Sequence, residues 1–202
     1  MSRRAAYQYG ATLGRNEHGI VDAALAKGLS YGEITYVKPD YELNLNGEVE
    51  NLTIDGLEMI FLDASGTEAP SEMVTYIPSM QAIWSGEVTY QGMHNIYTLR
   101  GAKVRDALKW SKKINQMISM WGGDVEVLFA AHSAPIWKNQ EIVEFLKMQR
   151  DAYGFTHNQT LRLANNGYVL QDLGDKIYEV MPESIQKTWH TNGYHGTYSH
   201  NA

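Results

Sequence analysis

Apolar positions fall into short blocks in the first half of the chain and into longer series at three- and four-residue spacing in the second. From Glu33 the pattern is that of strands. Ile34, Tyr36 and Val37 come first, then the Pro39-Asp40 break, then the alternating Tyr41-Glu42-Leu43-Asn44-Leu45. Asn46-Gly47 is a strong hairpin signal, since both residues tolerate the positive φ angles of a two-residue turn. Leu52-Thr53-Ile54 and Asp55-Gly56 repeat the device ahead of the apolar run 57–62. The runs 73–77 and 81–84 complete a strand-rich block over residues 33–86. Past Gly101 the period becomes helical. Val104, Ala107, Leu108, Ile114, Met117, Ile118 and Trp121 share one face, opposite Lys103, Arg105, Lys109, Lys112 and Lys113. Gly122-Gly123 stops that helix, and 125–131 reads as another strand. Asn139 is a candidate cap for a second helix, with Ile142, Val143, Phe145, Leu146 and Ala152 on its apolar face. Shorter helical segments are expected at 160–164, 170–177 and 182–189, and another at 21–27. The rest of the first thirty residues has little periodicity. With no internal repeat or linker, the pattern predicts one α/β domain over residues 1–202.

Several of the apolar runs end in a side chain that could bind a metal. The run 57–62 leads to Glu68 and Glu72, the run 81–84 to Glu87, and the run 125–131 to His132. In layered α/β proteins sites collect where strands end, because loops there are held by a rigid sheet. Two carboxylates and an imidazole suit a divalent metal of the zinc type. Each residue also has a plain structural reading. Glu68 and Glu72 flank Pro70 and would serve equally as solvated loop acids, Glu87 as a turn residue, and His132 as a hydrogen-bonded structural histidine.

Composition narrows the classes. The chain has 202 residues, 44% hydrophobic and 20% charged, enough for one self-sufficient core. A net charge of −6 argues against a nucleic-acid surface as the main business. No apolar run approaches the ~20 residues that span a bilayer, and no signal peptide is visible. The absence of cysteine excludes disulfides and thiolate zinc sites and leaves the compartment undetermined.

A series of motifs runs the length of the chain. They are Thr67-Glu68-Ala69-Pro70-Ser71-Glu72-Met73, Met93-His94-Asn95-Ile96-Tyr97-Thr98-Leu99-Arg100-Gly101, Arg105-Asp106, Gln149-Arg150-Asp151-Ala152-Tyr153, the stretch from His157 to Asn165, and Gly193-Tyr194-His195-Gly196-Thr197. In this order the series closely resembles the alkyl sulfatases of the metallo-β-lactamase superfamily, the dodecyl-sulfate-cleaving type. The resemblance implies an α/β metallo-β-lactamase-like αββα sandwich. It also implies a binuclear site with two divalent metal ions, usually zinc, and hydrolysis of long-chain alkyl sulfates to an alcohol and inorganic sulfate. By position it makes Glu68 a ligand of one metal, Glu87 the catalytic carboxylate bridging both, and His132 a ligand of the second. Glu72 is then a supporting residue, and Arg100 grips the sulfate with its fixed fork of donors. His94 and His200 are candidates for the general acid that protonates the leaving group.

One family motif is missing. No two of the seven histidines are separated by one residue, so H-x-H-x-D-H does not occur. The resemblance therefore implies the second half only of the catalytic domain, with part of the metal site. The expected partners are the alkyl sulfate substrate and either the missing amino-terminal half or another copy of the chain. A bacterial secreted or periplasmic setting would be compatible. The alternatives are an inactive truncated remnant and an interaction module that pairs with a partner chain.

Overall fold

The computed structural model describes residues 33, 35–46, 48–98, 102–193 and 197–202. The expected helix at 21–27, Ile34, Gly47 and Arg100 lie outside them. Two compact units divide the chain: residues 1–42 with 97–104, and residues 43–96 with 105–202. In the first, the described residues form no helix or strand, so the strand expected over 34–37 is not found there. Tyr36 and Val37 are exposed, which removes the half-buried surface that makes such residues good strand formers.

The second unit carries a six-stranded sheet in sequential order. Its strands are β1 (Val49–Ile54), β2 (Leu57–Asp63), β3 (Met73–Ile77), β4 (Ala82–Trp84), β5 (Val127–Phe129) and β6 (Ile136–Trp137). Asp55 and Gly56, at φ +50° and +80°, make the tight turn between β1 and β2. The chain turns at Asn46, where Glu48 N–H donates to Leu45 O at 2.7 Å, and no strand precedes the turn among the described residues. Leu43–Leu45 are irregular, because the register of β2 supplies partners from Val49 onward. All neighbouring strands are antiparallel except β4 and β5. A parallel pair needs a crossover, and here it carries helix α1 (Ala107–Trp121).

Helix α1 starts later than Val104, because the Asp106 carboxylate accepts from Lys109 N–H and caps it. Helix α2 (Asn139–Asn165) is one unbroken helix of 27 residues rather than two segments. Gly154 lies within it where α1 approaches. A Cβ there would come within 3.0 Å of Ser111 Oγ. Asn139 does not cap α2. Its side chain donates instead to Gly122 O and Val125 O, both at 2.9 Å, tying α2 to the end of α1. Helices α3 (Leu170–Glu179), α4 (Glu183–Gln186) and α5 (Tyr198–Asn201) follow. No helix among the described residues is long and apolar enough to cross a membrane.

Alternation divides the sheet into two faces. Leu62, Val74, Tyr76, Ile83 and Leu128 pack into the core with Trp110, Ile114, Met117 and Trp121 of α1 and Ile142, Phe145 and Leu146 of α2. The opposite face carries the register row Phe61–Thr75–Trp84–Phe129 and, beside it, Ile77–Ala82–Val127–Trp137. On this second face Met73, Trp84 and Trp137 remain 38%, 36% and 65% exposed.

Candidate metal centre

Strand direction decides which side chains can meet. Strands β2 and β4 both run antiparallel to β3, and β5 runs parallel to β4. The carboxyl ends of β2, β4 and β5 therefore share one edge of the sheet, and Glu68, Glu87 and His132 lie in the loops that leave it. The loop after β2 is closed by Gly66 N–H to Ala69 O at 2.8 Å and by Thr67 Oγ1 to Ala64 O at 2.6 Å. In the loop after β4, Ser85 Oγ donates to Thr89 O at 2.7 Å. Ala131 N–H donates to Gly86 O at 2.9 Å, which brings the loop after β5 against the loop holding Glu87.

Glu87 is the centre of the group. Its Oε2 lies 3.0 Å from His94 Nε2, and its Oε1 lies 3.1 Å from His132 Nε2. His94 Nε2 is also 3.7 Å from Glu68 Oε1. One ligand atom from each of Glu68, Glu87 and His94 falls within 4.8 Å of the others. His132 joins this triplet through Glu87. Histidine 94, read from the sequence as a proton donor, thus has the position of a ligand. Its backbone N–H donates to Tyr153 Oη at 3.0 Å, and its ring rests on the buried Trp110, with centroids 5.9 Å apart. Nδ1 lies 3.1 Å from Asn95 O. A carbonyl can only accept, so Nδ1 carries a proton and Nε2 faces two carboxylates. Only a second proton or a bound cation makes that contact favourable. Metal-binding histidines characteristically hold a carbonyl on the far nitrogen in this way.

The electrostatics agree with a cation site. Burial pushes the His94 pKa below its ordinary value and outweighs the upward pull of the Asn95 carbonyl and the carboxylates of Glu68 and Glu87. Burial acts to raise the Glu87 carboxyl, but His132 and His94 together hold it below the usual range. Glu72 behaves differently. Burial, then the Glu68 carboxylate, push it up to about 7 against the opposing Met73 N–H. Gly86, at φ +56°, lets the chain pass this group, since a Cβ there would meet Glu72 Oε1 at 2.8 Å.

Arg105, read from the sequence as part of a solvated helix face, lies in the site. It donates through Nη2 to Glu68 Oε1 at 2.6 Å. His200 is exposed in α5 and stands outside the triplet. Its helix is anchored beside the site, because Ile96 N–H donates to Asn201 Oδ1 at 2.9 Å. A groove of about 950 Å³, lined by Trp137, Phe145, Met148 and Trp189 among others, includes none of Glu68, Glu87, His94 and His132.

No protein-family model matches the chain. A linear primary-alkylsulfatase of a Pseudomonas species is 40% identical over 201 residues, covering all of this chain and 29% of the relative. An alkyl/aryl-sulfatase of Saccharomyces cerevisiae is 41% identical over 201 residues, again covering the whole chain and 30% of the relative. Among solved structures, a stereoselective inverting sec-alkylsulfatase from Pseudomonas superposes with a TM-score of 0.79 at 32% identity. It covers 99% of this chain and 31% of that one. The chain thus spans less than a third of the length of these relatives. Its mixed α/β fold, a sheet with helices packed on it, is theirs, and over its whole length the chain is similar to one segment of these alkylsulfatases.

Proposed function

We propose that the chain supplies part of the binuclear metal site of an alkyl sulfate ester hydrolase. The observation that carries this reading is the Glu87 carboxylate, which turns one oxygen to His94 and the other to His132, with Glu68 alongside. A carboxylate with its oxygens aimed at two separate imidazoles suits a bridge between adjacent cations. Oxygen and imidazole donors without thiolates suit zinc or a similar divalent ion. Glu68, Glu87 and His94 would hold one ion, and Glu87 with His132 would contribute to a second. Bound there, such ions supply an acidified water and positive charge for the sulfate oxygens. Among the chain's own groups, Arg105 neutralises Glu68, and the Nδ1 bond to Asn95 O keeps His94 Nε2 turned inward. Arg100 is assigned the sulfate group on the resemblance alone.

The donor count has a consequence. A catalytic zinc usually takes three protein ligands of its own, and the four side chains gathered here, with Glu87 shared, under-fill two such sites. The zinc-supplemented chain alone should therefore turn over dodecyl sulfate far more slowly than its full-length relatives. Substituted for the matching segment of the Pseudomonas linear primary-alkylsulfatase, it should restore that hydrolysis. A folded, zinc-loaded chimera with no activity would contradict the reading.

The second face of the sheet bears on partners. With Met73, Trp84 and Trp137 all partly exposed on it, it resembles an interface more than a solvated surface. We assign it to the remaining part of a longer polypeptide or to another copy of the chain. Sedimentation of the purified chain should show dimers or larger species, and a stable monomer at micromolar concentration would sink this assignment.

A further inference from the structure

We propose that Arg105 is a positioning residue that sets the Glu68–His94 spacing for the cation, an inference that rests on the metal-site reading above. Two loops carry these ligands. The first holds Glu68 after β2, and the second is the segment of His94 and Asn95. Arg105 fastens one to the other. Its Nε donates to the Glu68 carbonyl and its Nη2 to the Glu68 carboxylate at 2.6 Å. Its Nη1 donates to Asn95 O at 2.9 Å and Asn95 Oδ1 at 3.3 Å. The backbone repeats the join, because Arg105 N–H donates to Ile96 O at 3.1 Å and Asp106 N–H to Gly66 O at 3.2 Å. The Arg105 side chain is 8% exposed and the Glu68 side chain 16%.

The chemistry explains why an arginine stands here. Its planar fork of donors serves the carboxylate on one side and a carbonyl on the other at once, whereas a lysine is a single point charge that cannot span both. The Asn95 carbonyl held by Nη1 is also the one that accepts from His94 Nδ1. Arg105 thus orients both the carboxylate and, through that carbonyl, the imidazole. Outer partners of this kind typically contribute 10–100-fold to metal affinity.

The test is cobalt and zinc binding to the 202-residue chain, by chelator competition and by the visible spectrum of bound Co2+. Circular dichroism and thermal melts of the metal-free proteins report folding. Arg105→Lys should fold, bind about 10-fold or more weakly, and shift the Co2+ bands, which report ligand geometry. Arg105→Met should do the same more strongly. Because Arg105 acts through Glu68, adding Arg105→Lys to Glu68→Gln should weaken binding less than it does alone. Folded variants with wild-type affinity and spectrum would overturn the proposal, as would fully additive losses. Unfolding of both single variants would show a structural role only and overturn it as well. If the wild-type chain itself binds neither ion, the metal-site reading fails and this inference with it.

Discussion

Glu87→Gln should remove divalent-metal binding while leaving the fold in place. Glutamine is nearly isosteric, and its amide can still form one hydrogen bond toward His94 or His132, which now lie 3.0 and 3.1 Å from the carboxylate oxygens. What it loses is the negative charge and the second accepting oxygen, the features that would let one side chain serve two cations. The loss should exceed the 10–100-fold that follows removal of an outer-shell partner, so affinity should fall by more than about 100-fold. A chelator-competition titration measures it directly, with circular dichroism as the control for folding. Unchanged zinc affinity in the folded variant would mean that Glu87 is not a ligand.

The largest expected loss of stability comes from Trp110→Ala. Trp110 is fully buried. Its ring stacks on Tyr153 with centroids 4.2 Å apart, and its indole N–H donates to Val88 O at 2.7 Å. Truncating a buried tryptophan costs about 3–5 kcal/mol from lost transfer energy and the cavity left behind. Orphaning the buried Val88 carbonyl adds to this. Against a domain stability of roughly 5–15 kcal/mol, the variant should be marginal or unfolded in a urea titration. Trp110→Phe keeps most of the stack but not the N–H, and should fall between. The same stack supports His94, whose ring and backbone touch Trp110 and Tyr153. A residual folded fraction of Trp110→Ala should therefore bind metal more weakly than the wild type. A loss below about 1 kcal/mol would show that the helix layer does not depend on this stack.

Where local chemistry determines the outcome, the sequence was legible. Asp55-Gly56 makes its hairpin because the turn needs positive φ at both positions. The runs that became β2 and β3 are bounded within a residue or two of the expected limits. Local chemistry failed where pairing or packing decides. Leu43–Leu45 alternate like a strand, but the register offers β2 no residue before Val49. The segment at 160–164 reads as a separate helix, but it is the end of α2, which runs unbroken along α1. In the site, Glu68, Glu87 and His132 stood out because each follows an apolar run, and parallel strand direction turns that pattern into one edge. His94 was visible only as a possible acid, because nothing local says that its Nε2 points at two carboxylates. Arg105 was invisible as a site residue. Its helical spacing implied solvent, and its real partners lie 37 residues away at Glu68 and 10 away at Asn95.

The central claim is that Glu68, Glu87 and His94 surround one cation and that His132 borders the next position along the Glu87 carboxylate. An anomalous difference map at the zinc edge, from crystals of the chain grown with zinc, tests it most directly. It should show a peak between the Glu68 and Glu87 carboxylates and His94 Nε2, at the ~2.0–2.2 Å distances usual for zinc. Zinc bound only at other histidines or surface carboxylates, with that position empty in a well-ordered crystal, would contradict it.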